Sequence, residues 1–137
     1  MILTYLDASV LIAAVRGQGD LGTRALAVLD DPNRAFAASI FLKLEVLPQA
    51  RFHKRGPEVA FYERFFAAVS TWAADLTAIT EAALVEASTY GIEAMDALHV
   101  VAAAATGAQE LVTLEKTTRT IHRARAVKVV SLYPPVP

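Results

Sequence analysis

Four acidic side chains lie where a change of local structure is predicted along this sequence. They are Asp7, Glu45, Asp96 and Glu115. Two of them follow apolar runs typical of buried strands, and the other two lie within predicted helices. Carboxylates gathered in a mostly apolar chain repel each other and lose hydration, so they need a neutralising group, most often a divalent cation. The pattern therefore predicts an acidic pocket that binds a metal ion.

Asp7 and Glu45 each allow two interpretations. Asp7 directly follows the apolar residues 2–6 and enters a helix, so rigid backbone would hold it on both sides. Aspartate is also a good helix N-cap, as is serine at position 9, and capping alone could account for Asp7. Glu45 stands among apolar neighbours in a helix, where it is either a solvent-facing charge or a functional residue.

The helix that carries Asp96 is predicted to turn this residue inward. Asp96 shares a helical face with His99, Val100 and Ala103, and this face is apolar apart from the histidine. An acid in the first turn can also simply interact with the helix dipole, a role that fits Glu93 better because it is nearer to the helix start. We expect His99 to pack, or to hydrogen-bond a ligand residue, rather than to bind an ion itself.

Strands and helices alternate along the chain. Short apolar runs predict strands at residues 2–6, 35–38, 111–113 and 127–132, with a brief one at 76–79. Capping residues and periodicity predict helices over 10–17, over 20–30, from Ser39 to about Pro48, from Gly56 to about Trp72, from Thr80 to Gly91, over Glu93–Thr106 and over 117–125. Pro48 should break or kink its helix near Leu44 unless neighbouring packing tolerates it.

This order predicts a three-layer α/β/α sandwich around a mainly parallel sheet. Ligands of such sheets bind beyond the carboxyl ends of the strands, so Asp7 and Glu115 should lie on the same rim. We expect a single domain over residues 1–133. The proline-rich residues 134–137 cannot join a sheet, and we expect them to form a flexible tail.

The composition excludes several classes of function. The 137 residues are 55% apolar, with a mean hydropathy of +0.39, which favours a globule that hides further apolar surface in a dimer or partner interface. Cysteine is absent, so disulfides, thiolate metal sites and thiol catalysis are excluded. No apolar run is long enough for a membrane span, and the amino terminus lacks a signal peptide, so we expect a cytoplasmic protein.

Positive charge is concentrated in two stretches although the net charge is only −1. The first is residues 51–55, and the second, residues 116–128, contains five Lys or Arg and no acid. Basic side chains beside an acidic pocket suit an enzyme that acts on phosphodiesters, whereas the simpler interpretation is two solvated surfaces. The residues that we expect to contact a nucleic-acid backbone are Arg51, Lys54, Arg55, Lys116 and Arg119.

Four motifs occur in a fixed order along the chain. They are Asp7-Ala8-Ser9 after the first strand, Ser39 six residues before Glu45, the segment 96–104 (DALHVVAAA), and Gly107-Ala108 followed by Leu111-Val112-Thr113. This order resembles a PIN domain, and more narrowly the single-domain toxin ribonuclease of VapBC-type toxin–antitoxin pairs. The resemblance runs from about residue 2 to 131. The family's fourth acid is usually an aspartate two residues after a Thr or Ser and is followed by an aromatic residue. This chain has Glu115 there and lacks the aromatic.

The resemblance implies a Mg²⁺- or Mn²⁺-dependent endoribonuclease whose catalytic acids are the four named above. We expect Asp7 and Asp96 to bind the ion directly, with Glu45 and Glu115 completing the pocket directly or through water. Ser9 and Thr113 should support the pocket, Ser9 by hydrogen-bonding an acid and fixing its rotamer. The resemblance also implies a homodimer, an antitoxin partner that covers the pocket, and an RNA substrate read at single-stranded bases.

Other classes of protein also fit parts of the pattern. The altered motif around Glu115 would suit a catalytically weakened PIN-like domain that binds RNA or protein. A receiver-type phosphoacceptor domain also places acids at strand ends, but only Lys116 resembles the lysine that it requires. A dimerisation module would account for the apolar excess and would leave an inward Asp96 unexplained.

Overall fold

Five parallel strands form the centre of the molecule in a computed structural model that describes residues 1–134. The strands are β1 (Ile2–Leu6), β2 (Arg34–Ala38), β3 (Thr71–Trp72), β4 (Glu110–Thr113) and β5 (Val129–Ser131). The helices are α1 (Ala8–Arg16), α2 (Gly19–Leu29), α3 (Ile40–Phe52), α4 (Gly56–Ala68), α5 (Leu76–Tyr90) and α6 (Ala94–Ala105), with a short 3₁₀ helix at Thr120–Arg123. The last three residues of the predicted flexible tail, 135–137, lie outside the described residues.

The central strand of the sheet is β1, in the order β3-β2-β1-β4-β5. Strand β1 pairs in parallel with β2 and with β4, and Leu6 lies opposite Val112. The N–H of Asp7 extends this ladder by donating to the Val112 carbonyl at 3.1 Å. The carboxyl ends of β1 and β4 therefore meet at one rim, as the sequence predicts.

Alternation of side chains along the strands builds two separate cores. Leu6, Ala38 and Val112 face one side and pack with α1–α4, while their neighbours Tyr5 and Leu111 face the other side and pack with α5 and α6. Both faces of the sheet are covered, which explains why the strands read as continuous apolar runs. The predicted three-layer sandwich is confirmed. No helix within residues 1–134 combines the length and apolarity needed to cross a bilayer.

Of the outcomes predicted for Pro48, a break near Leu44 does not occur, because α3 continues through Pro48 to Phe52. A proline inside a helix deprives the carbonyl four residues earlier of its partner, and here that carbonyl belongs to Leu44. Leu44 is 61% exposed and Pro48 is also exposed. Water can therefore reach this side of α3, which lowers the cost of the missing hydrogen bond.

The segment after α4 also differs from the prediction. Helix α4 ends at Ala68, and Trp72 lies in β3 opposite Ala38 rather than on a helical stripe. The predicted strand at 76–79 is wrong as well, because Asp75 caps α5 by accepting from the N–H of Ala78 at 3.1 Å. The helix therefore begins at Leu76, four residues before the predicted start.

The predicted basic helix over 117–125 is reduced to the 3₁₀ helix. Tertiary contacts hold this segment in a more extended form. The nearly buried Glu86 of α5 accepts the N–H groups of Arg125 and Ala126 at 2.8 and 3.0 Å. Ile121 inserts into the core, with 1% of its surface exposed. These contacts outweigh a helical preference that has no continuous apolar face to support it.

Candidate acidic site

Asp7 is the N-cap of α1, as one interpretation predicts, and it is also a buried carboxylate at the end of β1. It is 7% exposed. Its Oδ1 accepts the N–H of Ser9 at 3.0 Å and the Ser9 hydroxyl, and its Oδ2 accepts the Thr113 hydroxyl. Burial raises the pKa of Asp7, and these hydrogen bonds from Ser9 and Thr113 oppose the rise. A carboxylate offers about four lone-pair positions, so one remains free.

The same two hydroxyl groups fasten the loop after β4 to the start of α1. Ser9 Oγ accepts the N–H of Leu114 at 3.1 Å, and Thr113 Oγ1 accepts the N–H of Glu115 at 3.0 Å. Thr113 is fully buried. Ser9 and Thr113 thus orient the Asp7 carboxylate and also set the position of the backbone at Glu115.

Asp96 lies in the first turn of α6, where the charges of Asp7 and Glu115 act on it. Burial and then, in order, the negative charges of Asp7, Glu93 and Glu115 raise its pKa to about 6. Only His99 opposes this rise, and no hydrogen bond from the described residues offsets it. Asp7 and Asp96 are therefore close enough to repel each other. Asp96 is half-buried, and the other residues of its helical face, His99, Val100 and Ala103, are buried, as predicted for the inward side of α6.

The Glu45 carboxylate contacts a histidine side chain. Its side chain is 34% exposed, and its Oε1 contacts Nε2 of His99, which is 2% exposed. On the other side of the ring, Nδ1 of His99 lies 2.7 Å from the Tyr5 hydroxyl, which lies 2.7 Å from Oγ of Ser39. This series of contacts, Ser39–Tyr5–His99–Glu45, begins at the start of α3, passes through β1 and α6, and ends at Glu45 in α3.

Glu115 lies at the edge of the site. Its side chain is 41% exposed, and its Oε2 is 3.4 Å from Nε of Arg119. The backbone carbonyl of Glu115 accepts from Nε2 of His122 at 2.9 Å. The Glu115 carboxylate thus interacts with a neighbouring guanidinium group, and its charge also acts on Asp96.

The residues at the rim fit a Mg²⁺ or Mn²⁺ ion in their chemistry. The groups that could bind the ion are carboxylate oxygens, since Asp7 keeps one free lone-pair position and Asp96 has no hydrogen-bond partner among residues 1–134. Among residues 1–134, no three acidic or histidine side chains come close enough together to form a complete metal-binding group. Mg²⁺ usually binds to one or two protein carboxylates and keeps several waters, so a pair of aspartates satisfies its needs.

The basic residues fall into two sets with different surroundings. Lys116 lies 5.4 Å above the Tyr133 ring and Arg119 pairs with Glu115, so both are beside the acidic rim. In the other stretch Arg51 pairs with Glu63 of α4 at 3.3 Å. Lys54 and Arg55 follow the far end of α3, beyond Phe52, with Arg55 4.0 Å from Glu58. The contacts of all five residues with RNA stay predictions.

Sequence reasoning missed the roles of Tyr5 and Ser39. Ser39 is the N-cap of α3, as predicted, but its hydroxyl makes no capping bond and is used for Tyr5 instead. The available signal was a tyrosine inside a strand buried on both faces, because a buried phenol needs a hydrogen-bond partner.

Comparison with known proteins gives matches at the level of structure. No protein-family model matches the chain, and no curated protein is detectably similar in sequence. VapBC2 from Rickettsia felis bound to a DNA fragment from its promoter matches with a TM-score of 0.73 at 18% identity, over 96% of this chain and 100% of that chain. A toxin–antitoxin complex from Klebsiella pneumoniae matches with a TM-score of 0.69 at 19% identity, over 95% of this chain and 98% of that one. DNA-bound VapBC from Salmonella typhimurium matches with a TM-score of 0.68 at 18% identity, over 96% and 98% of the two chains. At these identities the similarity establishes a shared fold over nearly the whole of each chain.

Proposed function

We propose that this chain, which has the PIN-like fold, is a Mg²⁺- or Mn²⁺-dependent endoribonuclease and the toxin of a type II toxin–antitoxin pair. One observation carries the proposal: Asp7 follows β1 and Asp96 lies in the first turn of α6, the pKa of each is raised by burial, and the charge of Asp7 raises the pKa of Asp96 further. Repulsion between these carboxylates destabilises the folded protein, and a bound divalent cation would remove this repulsion. The shared fold with structures of toxin–antitoxin complexes supports the biological role.

The residues of the rim divide the work. Asp7 and Asp96 hold the ion, and Ser9 and Thr113 keep the Asp7 carboxylate in one orientation. An ion held there would supply Lewis acidity for a phosphate oxygen and lower the pKa of a bound water. Glu115 borders the pocket and orients water there, with Arg119 adjusting its position.

The basic side chains beside the rim bind the RNA backbone. Lys116 and Arg119 are near enough to the acids to meet a phosphate beside the scissile bond, whereas Arg51, Lys54 and Arg55 would contact a more distant part of the strand. The substrate is single-stranded or looped RNA, because side chains cannot read the deep major groove of an RNA duplex. Such a substrate places the protein's activity in the cytoplasm.

Two protein partners complete the proposal. Apolar side chains on the outer faces of α3 and α5 are strongly exposed, among them Leu44 at 61%, Leu84 at 70% and Val85 at 65%. We assign such surfaces to a homodimer contact and to an antitoxin chain. The antitoxin would lie over the acidic rim and neutralise it with a basic side chain.

The test of the enzymatic proposal is a pair of isosteric substitutions. Asp7→Asn and Asp96→Asn remove one charge each and keep the shape of the side chain, so the fold should persist. We expect each to reduce Mn²⁺-dependent cleavage of a single-stranded RNA mixture by at least about 100-fold, with unchanged circular dichroism. Asp20→Asn is the matched control, because Asp20 is 70% exposed and pairs with Arg24 away from the rim. Full cleavage by either rim variant would contradict the assignment.

A second candidate function is a weakened PIN-like domain that binds RNA or protein without cleavage. The engagement of Glu115 by Arg119 and of Glu45 by His99 favours it, since Arg119 partly neutralises Glu115 and His99 occupies an oxygen of Glu45. Calorimetric titration with Mn²⁺ separates the two functions. A binding module need not retain an ion site, whereas the nuclease must bind Mn²⁺ through Asp7 and Asp96.

A further inference from the structure

The hydrogen-bond series behind Glu45 contains buried polar residues that the proposed chemistry does not use, among them Tyr5 and His99. Tyr5 is fully buried and His99 is 2% exposed. An apolar side chain fills a buried position at a lower free-energy cost than a polar one, because each buried polar atom needs a hydrogen-bond partner. Both residues do find partners, and the series of contacts ends at a partly exposed carboxylate on the acid-bearing side of the molecule.

The chemistry of the groups gives the series a direction. An ionised carboxylate only accepts hydrogen bonds, so Nε2 of His99 must carry the proton that it donates to Glu45. In the neutral ring Nδ1 then has no proton and accepts from the Tyr5 hydroxyl, which in turn accepts from Ser39. Burial raises the pKa of the Tyr5 phenol, so Tyr5 keeps the proton that this arrangement requires.

We propose that His99 is a positioning residue for Glu45, itself oriented by Tyr5 and Ser39, so that the glutamate carboxylate is held in one direction at the edge of the acidic pocket. The proposal rests on the proposed nuclease function. It adds that the exposed acid of α3 is controlled from inside the protein, by a ring on α6 and a phenol on the central strand. The Glu45 side chain has several rotatable bonds and, within residues 1–134, no ion pair with Lys or Arg. Without His99 its carboxylate would therefore sample several directions.

Two conservative substitutions of His99 test separately the contacts made by the two nitrogen atoms of its ring. The amide nitrogen of glutamine occupies roughly the place of Nε2, and that of asparagine roughly the place of Nδ1. His99→Gln therefore keeps the donor to Glu45 and loses the link to Tyr5, while His99→Asn keeps a group near Tyr5 and loses the contact with Glu45. Both variants bury one amide, so their effects on packing are similar.

We expect His99→Gln to retain kcat within about threefold of wild type and His99→Asn to lower kcat by about 10- to 100-fold, with KM for RNA nearly unchanged in both. Thr4→Val is the control, because Thr4 is equally buried in β1 but hydrogen-bonds with Arg34 and Glu110 toward the amino ends of the strands. It should leave kcat unchanged. Equal kcat values for the Gln and Asn variants, whether high or low, would overturn the proposal.

A spectroscopic measurement keeps the proposal testable if a variant does not fold and separates it from the question of nuclease activity. In ¹⁵N-labelled wild-type protein, His99 should appear as the neutral tautomer with its proton on Nε2, and this proton should exchange slowly with water. In Glu45→Ala the slow exchange should be lost. A proton on Nδ1 in wild type, or an unchanged signal in Glu45→Ala, would refute the series. Absence of RNA cleavage with the expected signal would instead refute only the nuclease proposal.

Discussion

Replacing Asp96 with asparagine should stabilise the metal-free protein while it removes the proposed activity. The pKa of Asp96 is raised from its ordinary value of 3.8 to about 6 by burial and by neighbouring negative charges. At 1.36 kcal/mol for each pKa unit, the ionised carboxylate costs the folded state up to about 3 kcal/mol. Solvent screening of this half-buried group reduces the cost to about 2 kcal/mol. Asparagine forfeits a favourable interaction with the dipole of α6 worth about 0.3–1 kcal/mol.

The net gain of Asp96→Asn is therefore about 1 kcal/mol above neutral pH, which corresponds to roughly 3–5 °C in Tm for a domain of this length. The pH dependence follows from the sign of the pKa change. Because the pKa is higher in the folded protein than in the unfolded chain, the stability contributed by Asp96 is complete below about 3.8 and is lost as the pH rises through about 6. The advantage of asparagine over aspartate should accordingly be full at about pH 8 and fade between about pH 6 and 4.

The assay is thermal unfolding of both proteins in a chelator and then in excess Mn²⁺. An ion at 100 times its Kd adds about 2.7 kcal/mol to the wild-type protein and less to the variant, so the order of the two Tm values should reverse. Asp20→Asn, at an exposed acid, should stay within about 0.5 kcal/mol of wild type in every condition. Two results would refute the reasoning: no stabilisation by Asp96→Asn in chelator at about pH 8, or an order of Tm values that Mn²⁺ does not change.

Two further predictions concern the loop after β4. Glu115→Asp shortens the side chain by one methylene and restores the residue usual in PIN domains. We expect it to weaken the contact with Arg119 and to raise the rate of RNA cleavage by about fivefold, equivalent to ~1 kcal/mol; an unchanged rate would place Glu115 outside the reaction. Thr113→Val removes the buried hydroxyl that links Asp7 Oδ2 with the N–H of Glu115, and we expect urea unfolding to show a loss of about 1–3 kcal/mol. Thr89→Val, where an exposed hydroxyl bonds only to its own helix, should change stability by less than about 0.5 kcal/mol.

Local sequence pattern was sufficient for the elements whose signals lie within a few residues of each other. The apolar runs before Asp7 and Glu115 become β1 and β4, and α6 follows the predicted bounds to within a residue at each end. These segments have strong apolar patterns, and in them local and tertiary preferences agree. The predictions were wrong for segments with a weak local pattern. At residues 76–79 the Asp75 cap begins a helix instead of the predicted strand, and the basic helix over 117–125 gives way to contacts with the distant Glu86.

For the site, the sequence by itself determined which acids could share a rim, because parallel strands place their carboxyl ends together. The inward direction of Asp96 followed from helical spacing in the same way. Only the tertiary structure decided what each carboxylate contacts. It placed Ser9 and Thr113 on Asp7, Arg119 beside Glu115, and His99 between Tyr5 and Glu45. Most of these contacts join residues far apart in the chain. Their existence depends on how two helical layers close over one sheet, which periodicity along a single segment cannot express.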